Sequence, residues 1–205
     1  MKRLIVAVVA LVAIFALSSA SVYAVEGLSA GVTAGLNISN LYGDDVEAFA
    51  EGADTKMKIG AAFGGFANYV INDYLAVQPE LLYTMKGMKV DAAETISVSL
   101  NYLEIPILAK VSMPMEGKIK PSFIIGPAIG ILLTAEVEDV DIKDDMKSID
   151  FGLALGAGVN VAEVGPGNMS ADVLYTLGLT SVPDVEDVSI KNWAISIMVG
   201  YAFPL

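Results

Sequence analysis

The sequence predicts an all-β fold, an eight-stranded antiparallel up-and-down transmembrane β-barrel, on three observations. Eight stretches alternate apolar with small or polar residues at period two, as in Leu28-Ser29-Ala30-Gly31-Val32-Thr33-Ala34-Gly35-Leu36-Asn37-Ile38-Ser39. Hydrophobic residues make up 55% of the chain and mean hydropathy is +0.62, yet past the N-terminal segment no apolar run matches a spanning helix, which needs about 20 residues. The positions opposite the greasy face include Glu, Lys, Asp and Gln, which suit an enclosed polar interior with lipid outside.

The first 24 residues read as a secretory leader. Lys2 and Arg3 form a charged start, Leu4 to Leu17 an apolar core of fourteen residues, and Val22-Tyr23-Ala24 a small-residue cleavage site, so residues 1–24 are cleaved and 25–205 form one barrel domain. The other reading is an uncleaved anchor helix, for which fourteen residues are short. Removing the leader takes away two bases and no acid, moving the net charge from −12 to −14. No basic footprint for nucleic acid is left. With no cysteine there is no disulfide framework or thiol chemistry.

Strands are predicted near 28–39, 57–71, 74–88, 97–112, 118–135, 149–161, 169–179 and 191–203. Three connections are short and made of turn formers: Asn72-Asp73, Met113 to Gly117, and Ala162 to Asn168. The other four, near 40–56, 89–96, 136–148 and 180–190, carry 16 of the 24 acidic residues against four lysines. Short turns on one side and longer loops on the other place both termini in the periplasm and the acidic loops outside the cell.

Parity assigns the faces. Leu75, Val77, Leu81, Tyr83 and Met85 point out of the third strand, and Gln78, Glu80, Thr84 and Lys86 point in. The fourth sends Leu103, Ile105, Ile107 and Val111 out and Tyr102, Glu104 and Lys110 in. On the fifth, Phe123, Ile125, Ile129, Ile131 and Leu133 face out, with Lys118, Lys120 and Ser122 inside. Asp150 and Asn160 point in on the sixth, Asp172 and Thr176 on the seventh, and Asn192 and Ser196 on the last. Two stretches fit less well. Ile96 to Leu100 has the opposite phase from Leu103 onward, which predicts a bulge or a rim segment above the membrane. Residues 123–135 are apolar enough for a buried helix, against which stand Gly126, Pro127 and Gly130. Outward aromatics form two groups, Tyr69, Phe123, Tyr201 and Phe203 near one rim and Tyr83, Phe151 and Trp193 near the other, as interfacial girdles would.

Asn101-Tyr102-Leu103-Glu104-Ile105-Pro106-Ile107-Leu108-Ala109-Lys110 resembles the "YLEIP…K" strand of the PorT-like outer-membrane β-barrel family. Leu75-Ala76-Val77-Gln78-Pro79-Glu80-Leu81-Leu82-Tyr83 with Lys86-Gly87, and the start Gly31 to Asn37, are similar to its other strands. The resemblance spans the mature chain and implies an eight-stranded outer-membrane barrel with no single shared activity. Gly200-Tyr201-Ala202-Phe203-Pro204-Leu205 resembles the C-terminal signal read by the barrel-assembly machinery, although Met198, Pro204 and Leu205 depart from it.

An eight-stranded barrel has room for little beyond its own side chains. The inward set holds the acids Glu80, Glu104, Asp150 and Asp172 and the bases Lys58, Lys86, Lys110, Lys118 and Lys120, a near-neutral network plugging the lumen. The candidate site is Glu80, Glu104, Lys86, Lys110, Lys120, Asp150 and Asp172. A symmetric 89–96 loop puts Glu80 opposite Glu104, a pair that calls for a bridging lysine, a bound cation or a shared proton. The absence of histidine excludes Ser-His and Asp-His catalysis and His-ligated zinc. No catalytic residue, metal ligand or cofactor is predicted. Asp44-Asp45, Glu136 to Asp141 and Asp144-Asp145 lack the spacing of a calcium loop and read as solvated surface or as oxygen ligands for Ca²⁺ or Mg²⁺.

The functional expectation is a monomeric, non-enzymatic outer-membrane barrel with a structural or surface-interaction role. Its partners are outer-membrane lipid, lipopolysaccharide and, during insertion, the assembly machinery. The alternative is a narrow channel or a small-ligand or cation-binding barrel, favoured if Gly60, Gly64, Gly126 and Gly156 leave a continuous void. A soluble lipocalin-like barrel is the third class.

Overall fold

The computed structural model describes residues 26–50, 53–91, 95–113, 115, 117–185 and 187–205. The leader over residues 1–24, its cleavage site, and Glu51, Glu94, Glu116 and Glu186 lie outside the described residues.

All eight expected strands form: β1 (Leu28–Tyr42), β2 (Asp54–Val70), β3 (Leu75–Asp91), β4 (Thr95–Ser112), β5 (Ile119–Val137), β7 (Ile149–Val164), β8 (Gly167–Gly178) and β9 (Lys191–Pro204). β6 (Val140–Asp141) is a two-residue return onto β5 through Glu138 and Asp139, both at positive φ, the backbone a two-residue hairpin turn requires. Neighbouring strands pair antiparallel, and β1 pairs β9 from Ser29↔Pro204 to Tyr42↔Lys191, which closes the barrel. Closure leaves the eight strands no free edge. Residues 123–135 lie in β5, so the helical alternative is set aside.

The two ends differ. At the turn end, Asn72 Oδ1 accepts the amides of Tyr74 and Leu75, both at 2.9 Å, a side-chain-closed turn. The Ser112 amide donates to Tyr74 O of the neighbouring turn at 2.7 Å. Among the described residues the loop end holds one turn of α-helix, α1 (Val46–Phe49), a 3-10 turn at Lys143–Asp145, and segments tied together by Ser189 N to Asp45 Oδ2 at 2.7 Å and Val182 N to Ile190 O at 2.7 Å.

Strands β2 to β4 run beyond their predicted ends, so the expected 89–96 loop shortens to the link between Asp91 and Thr95. The side chains explain the extension. Met88, Val90, Val98 and Leu100 are buried inside the barrel, while Lys89, Ser97 and Ser99 take the outward positions. The inward row continues without a break through Tyr102, Glu104, Leu108 and Lys110. The opposite phase of Ile96 to Leu100 is therefore no bulge in β4. It is an inversion of the alternation, with apolar groups now inside. The bulge lies on the next strand: Asn101 pairs Thr134 and Tyr102 pairs Leu132, leaving Leu133 as the extra residue of β5.

The barrel thus has two storeys. In the lower one, Leu36, Leu81, Ile107, Ile125, Leu155 and Val199 are exposed around an outer apolar belt. In the upper one, Leu41, Met88, Val98, Leu100, Tyr102, Leu132, Ala135, Val182 and Ile190 form an enclosed hydrophobic core. Tyr69, Phe123, Phe151 and Phe203 are exposed on the outer face, as the girdle reading expects, whereas Tyr83 is covered, its ring 5.4 Å from that of Phe63.

Candidate functional site

Below the hydrophobic core the inward side chains are polar, and they sort into pairs. Lys86 Nζ lies 3.0 Å from Glu104 Oε2, both side chains under one-tenth exposed. Thr84 Oγ1 donates to the same oxygen at 3.1 Å, and Lys86 Nζ sits 5.6 Å from the Tyr102 ring centroid, within cation–π range. Nearer the turn end, Lys110 Nζ lies 2.8 Å from Asp172 Oδ2. A Cβ at Gly158 would overlap Asp172 Oδ1, so that glycine makes room for the pair. The other two carboxylates have amide partners: Gln78 Nε2 donates to Glu80 Oε1 at 2.6 Å, and Asn192 Nδ2 donates to Asp150 Oδ2.

Six of the seven expected site residues are therefore buried inside the barrel: Glu80, Lys86, Glu104, Lys110, Asp150 and Asp172. Lys120 is not. It is exposed at the turn-end mouth, because β5 begins at Ile119 and its first residues form the rim. Lys118 belongs to the same rim and pairs with Glu163 at 2.7 Å, both well exposed. Lys58 also leaves the network. The β2–β3 register shifts between Met57 and Ala62, and Lys58 Nζ reaches Val98 O and Ser99 Oγ rather than a buried carboxylate.

The expected Glu80–Glu104 apposition is also corrected. Pro79 pairs Ile107 and Leu82 pairs Glu104, so the register is offset by two residues from a symmetric loop. An offset of two preserves the inward face of both acids, which parity alone could not detect. Glu104 faces Leu82 and takes Lys86 as its counter-ion. Gln78 and Asn192 were legible as inward residues; that each engages a carboxylate was not, because strand alternation gives the face and not the partner.

A cavity of about 240 Å³ opens at the turn end, lined by Phe66, Gln78, Lys110, Lys120, Asn160 and Ser170 among others. Further in, Leu108, Ile124, Tyr102, Leu132 and Met88 are almost fully buried and fill the cross-section. Gly60, Gly64, Gly126 and Gly156 open no void. A Cβ at each would overlap a carbonyl of the adjacent strand, at Met85, Leu81, Ile107 and Val173 respectively.

The family model for the outer membrane protein beta-barrel domain matches residues 18–184. The chain belongs to that family. Like other outer membrane beta-barrel domains it crosses the bacterial outer membrane with strands, and its apolar belt faces hydrocarbon. Among solved structures, it matches neisserial surface protein A at a TM-score of 0.61 and 15% identity, over 88% of this chain and 98% of that one. Two more distant matches are OprG of Pseudomonas aeruginosa (TM-score 0.47, 14% identity, 86% and 96% covered) and the attachment invasion locus protein Ail of Yersinia pestis (TM-score 0.44, 17% identity, 87% and 100% covered). At these identities the likeness is one of fold. Among curated proteins, no sequence matches the chain.

Proposed function

We propose that this family member is a non-enzymatic, sealed outer-membrane barrel that acts as a structural and surface-interaction element. The observation that carries the reading is the filling of the lumen. Two buried ion pairs and an apolar core occupy successive levels, and the cavity at the turn end stops beneath them. An ion entering from that cavity would have to part close-packed side chains, so the barrel is a plug rather than a pore. The turn end faces the periplasm with both termini, and the loops bearing Asp44, Asp45, Asp139, Asp141, Asp144 and Asp145 face outward. Lipopolysaccharide is the neighbour of those loops, the assembly machinery reads the C-terminal strand during insertion, and the inserted protein is a monomer. The strand Asn101 to Lys110 supports the finer assignment to the PorT-like group.

Planar-bilayer recording tests the reading. A sealed barrel gives no stable conductance steps, and reproducible unitary steps would overturn it in favour of a narrow channel. Protease shaving of intact cells tests the orientation: cleavage within residues 138–148 or 180–190 is expected, and cleavage confined to permeabilised cells would reverse it.

A further inference from the structure

Among the described residues four buried carboxylates meet two buried ammonium groups, and their partners are of two kinds. Glu104 and Asp172 each hold a lysine; Glu80 and Asp150 each hold a side-chain amide. An amide donates a hydrogen bond but brings no charge, so two negative charges have no buried base to answer them. The two carboxylates are equally buried, and the two sites differ in what adjoins them. Gln78, the partner of Glu80, lines the turn-end cavity together with Lys110, and water reaches that surrounding. Asp150 lies away from that cavity, beside fully buried Asn192 and under Tyr102, whose ring packs over Gly130, the cross-strand partner of Asp150.

The hydrogen bonding at Asp150 is incomplete in a way that points to a ligand. Asn192 Nδ2 is committed to Asp150 Oδ2, and Lys86 Nζ is committed to Glu104. Among the described residues Asp150 Oδ1 and Asn192 Oδ1 are buried acceptors without a hydrogen bond of good geometry, in residues more than nine-tenths buried; the backbone amide of Thr180 also faces the Asp150 carboxylate. The charged and titratable groups facing Asp150 are Lys86 on β3, Glu104 and Tyr102 on β4, and Tyr42 on β1; β5 presents Gly130 and β9 presents Asn192. Lys86, Glu104 and Asp150 together keep one surplus negative charge. A water molecule would satisfy lone pairs and leave that buried charge uncompensated.

We infer that Asp150 Oδ1 and Asn192 Oδ1 bind one small monovalent cation, a proton or a sodium ion. A divalent ion does not fit. It would turn one surplus negative charge into one surplus positive charge, and among the described residues no three acidic side chains converge to hold it. With the cation in place the Lys86–Glu104–Asp150 group is neutral, as a group enclosed below an apolar core needs to be.

The test compares the purified barrel in detergent with its Asp150→Asn and Glu80→Gln variants at neutral pH. Infrared spectra are taken in sodium-free buffer, and thermal unfolding is followed in sodium, potassium and choline chloride. If the cation is a proton, the carbonyl stretch of a protonated carboxylic acid is present in the parent and in Glu80→Gln and is reduced in Asp150→Asn. If it is sodium, the parent unfolds at higher temperature in sodium than in choline, and Asp150→Asn loses that dependence while Glu80→Gln keeps it. A parent with neither signal, or a signal that Glu80→Gln removes and Asp150→Asn retains, overturns the inference. Asn192→Ala keeps the carboxylate and deletes the amide oxygen. It shifts the infrared band or weakens the sodium response, and it supplies the readout if Asp150→Asn does not fold.

Discussion

The lower and upper storeys of this barrel use one backbone and opposite chemistry. In the lower storey, Ile107 and Ile125 look outward and Glu104, Lys110 and Asp172 look inward; in the upper storey, Lys89 and Ser97 look outward and Val98 and Leu100 look inward. Each storey places its apolar face away from water. Hydrocarbon surrounds the first, and the second has only its own interior in which to hide. The row Met85–Asn101–Thr134 marks the change on β3 to β5, with Asn101 Nδ2 donating to Thr134 Oγ1 at 2.8 Å and the Leu133 bulge beside it. Period-two alternation therefore reports a half-buried strand, while the medium it faces must be read from what sits opposite.

Substitutions that move a group between these environments sharpen the contrast. The largest expected effect is Lys110→Ala, which leaves Asp172 buried without its counter-ion and costs about 3–5 kcal/mol. Urea unfolding followed by Trp193 fluorescence in detergent reads it, and a midpoint close to that of the parent would mean that the lower interior is wet. Leu100→Ala empties a fully enclosed site in the upper core, with a loss of about 3 kcal/mol. Ile107→Ala, outside, is expected to cost clearly less in the same assay, because lipid closes over the gap. Ile107→Lys puts a charge on the belt and destabilises by about 2–4 kcal/mol if the site is near the bilayer midplane, whereas Ser97→Glu, opposite Lys89 above the belt, stays within about 0.5 kcal/mol of the parent. Equal responses at 97 and 107 would erase the distinction between the storeys. Glu163→Gln at the exposed rim is the smallest case; no change in unfolding midpoint is expected from loss of its contact with Lys118.

Much of the lower storey was legible in the chain. Alternation sets the inward side for Glu80, Glu104, Asp150 and Asp172, since each has an outward Leu, Ile, Phe or Val beside it, and the structure places all four inside. The upper storey was harder. Ile96 to Leu100 shows the same period as the rest, and nothing local tells Val98 whether its neighbour is a lipid chain or Leu132. Parity places Lys118 and Lys120 inside because it carries no information about height along a strand; at the turn-end rim both are exposed at the mouth of the cavity they line. The Glu80–Glu104 error has the same origin. Register along β3 and β4 is fixed by the length of the ladder up to Asp91 and Thr95, which a loop reading cut short. The amide partners were beyond reach because Asn192 and Asp150 lie 42 positions apart and meet only once β7, β8 and β9 are wound side by side.

The change of polarity at the Met85–Asn101–Thr134 row also acts as a waterline. A pair of residues advances a strand by roughly 6–7 Å, so sinking the barrel by that much would drag Ser99 into oil, and sinking it by twice as much would take Lys89 and Ser97 with it. Lifting it equally would strand Leu103 and Ile131 in water. A membrane of the wrong thickness then has little freedom to let the protein bob up or down, and must itself thin or swell to meet it.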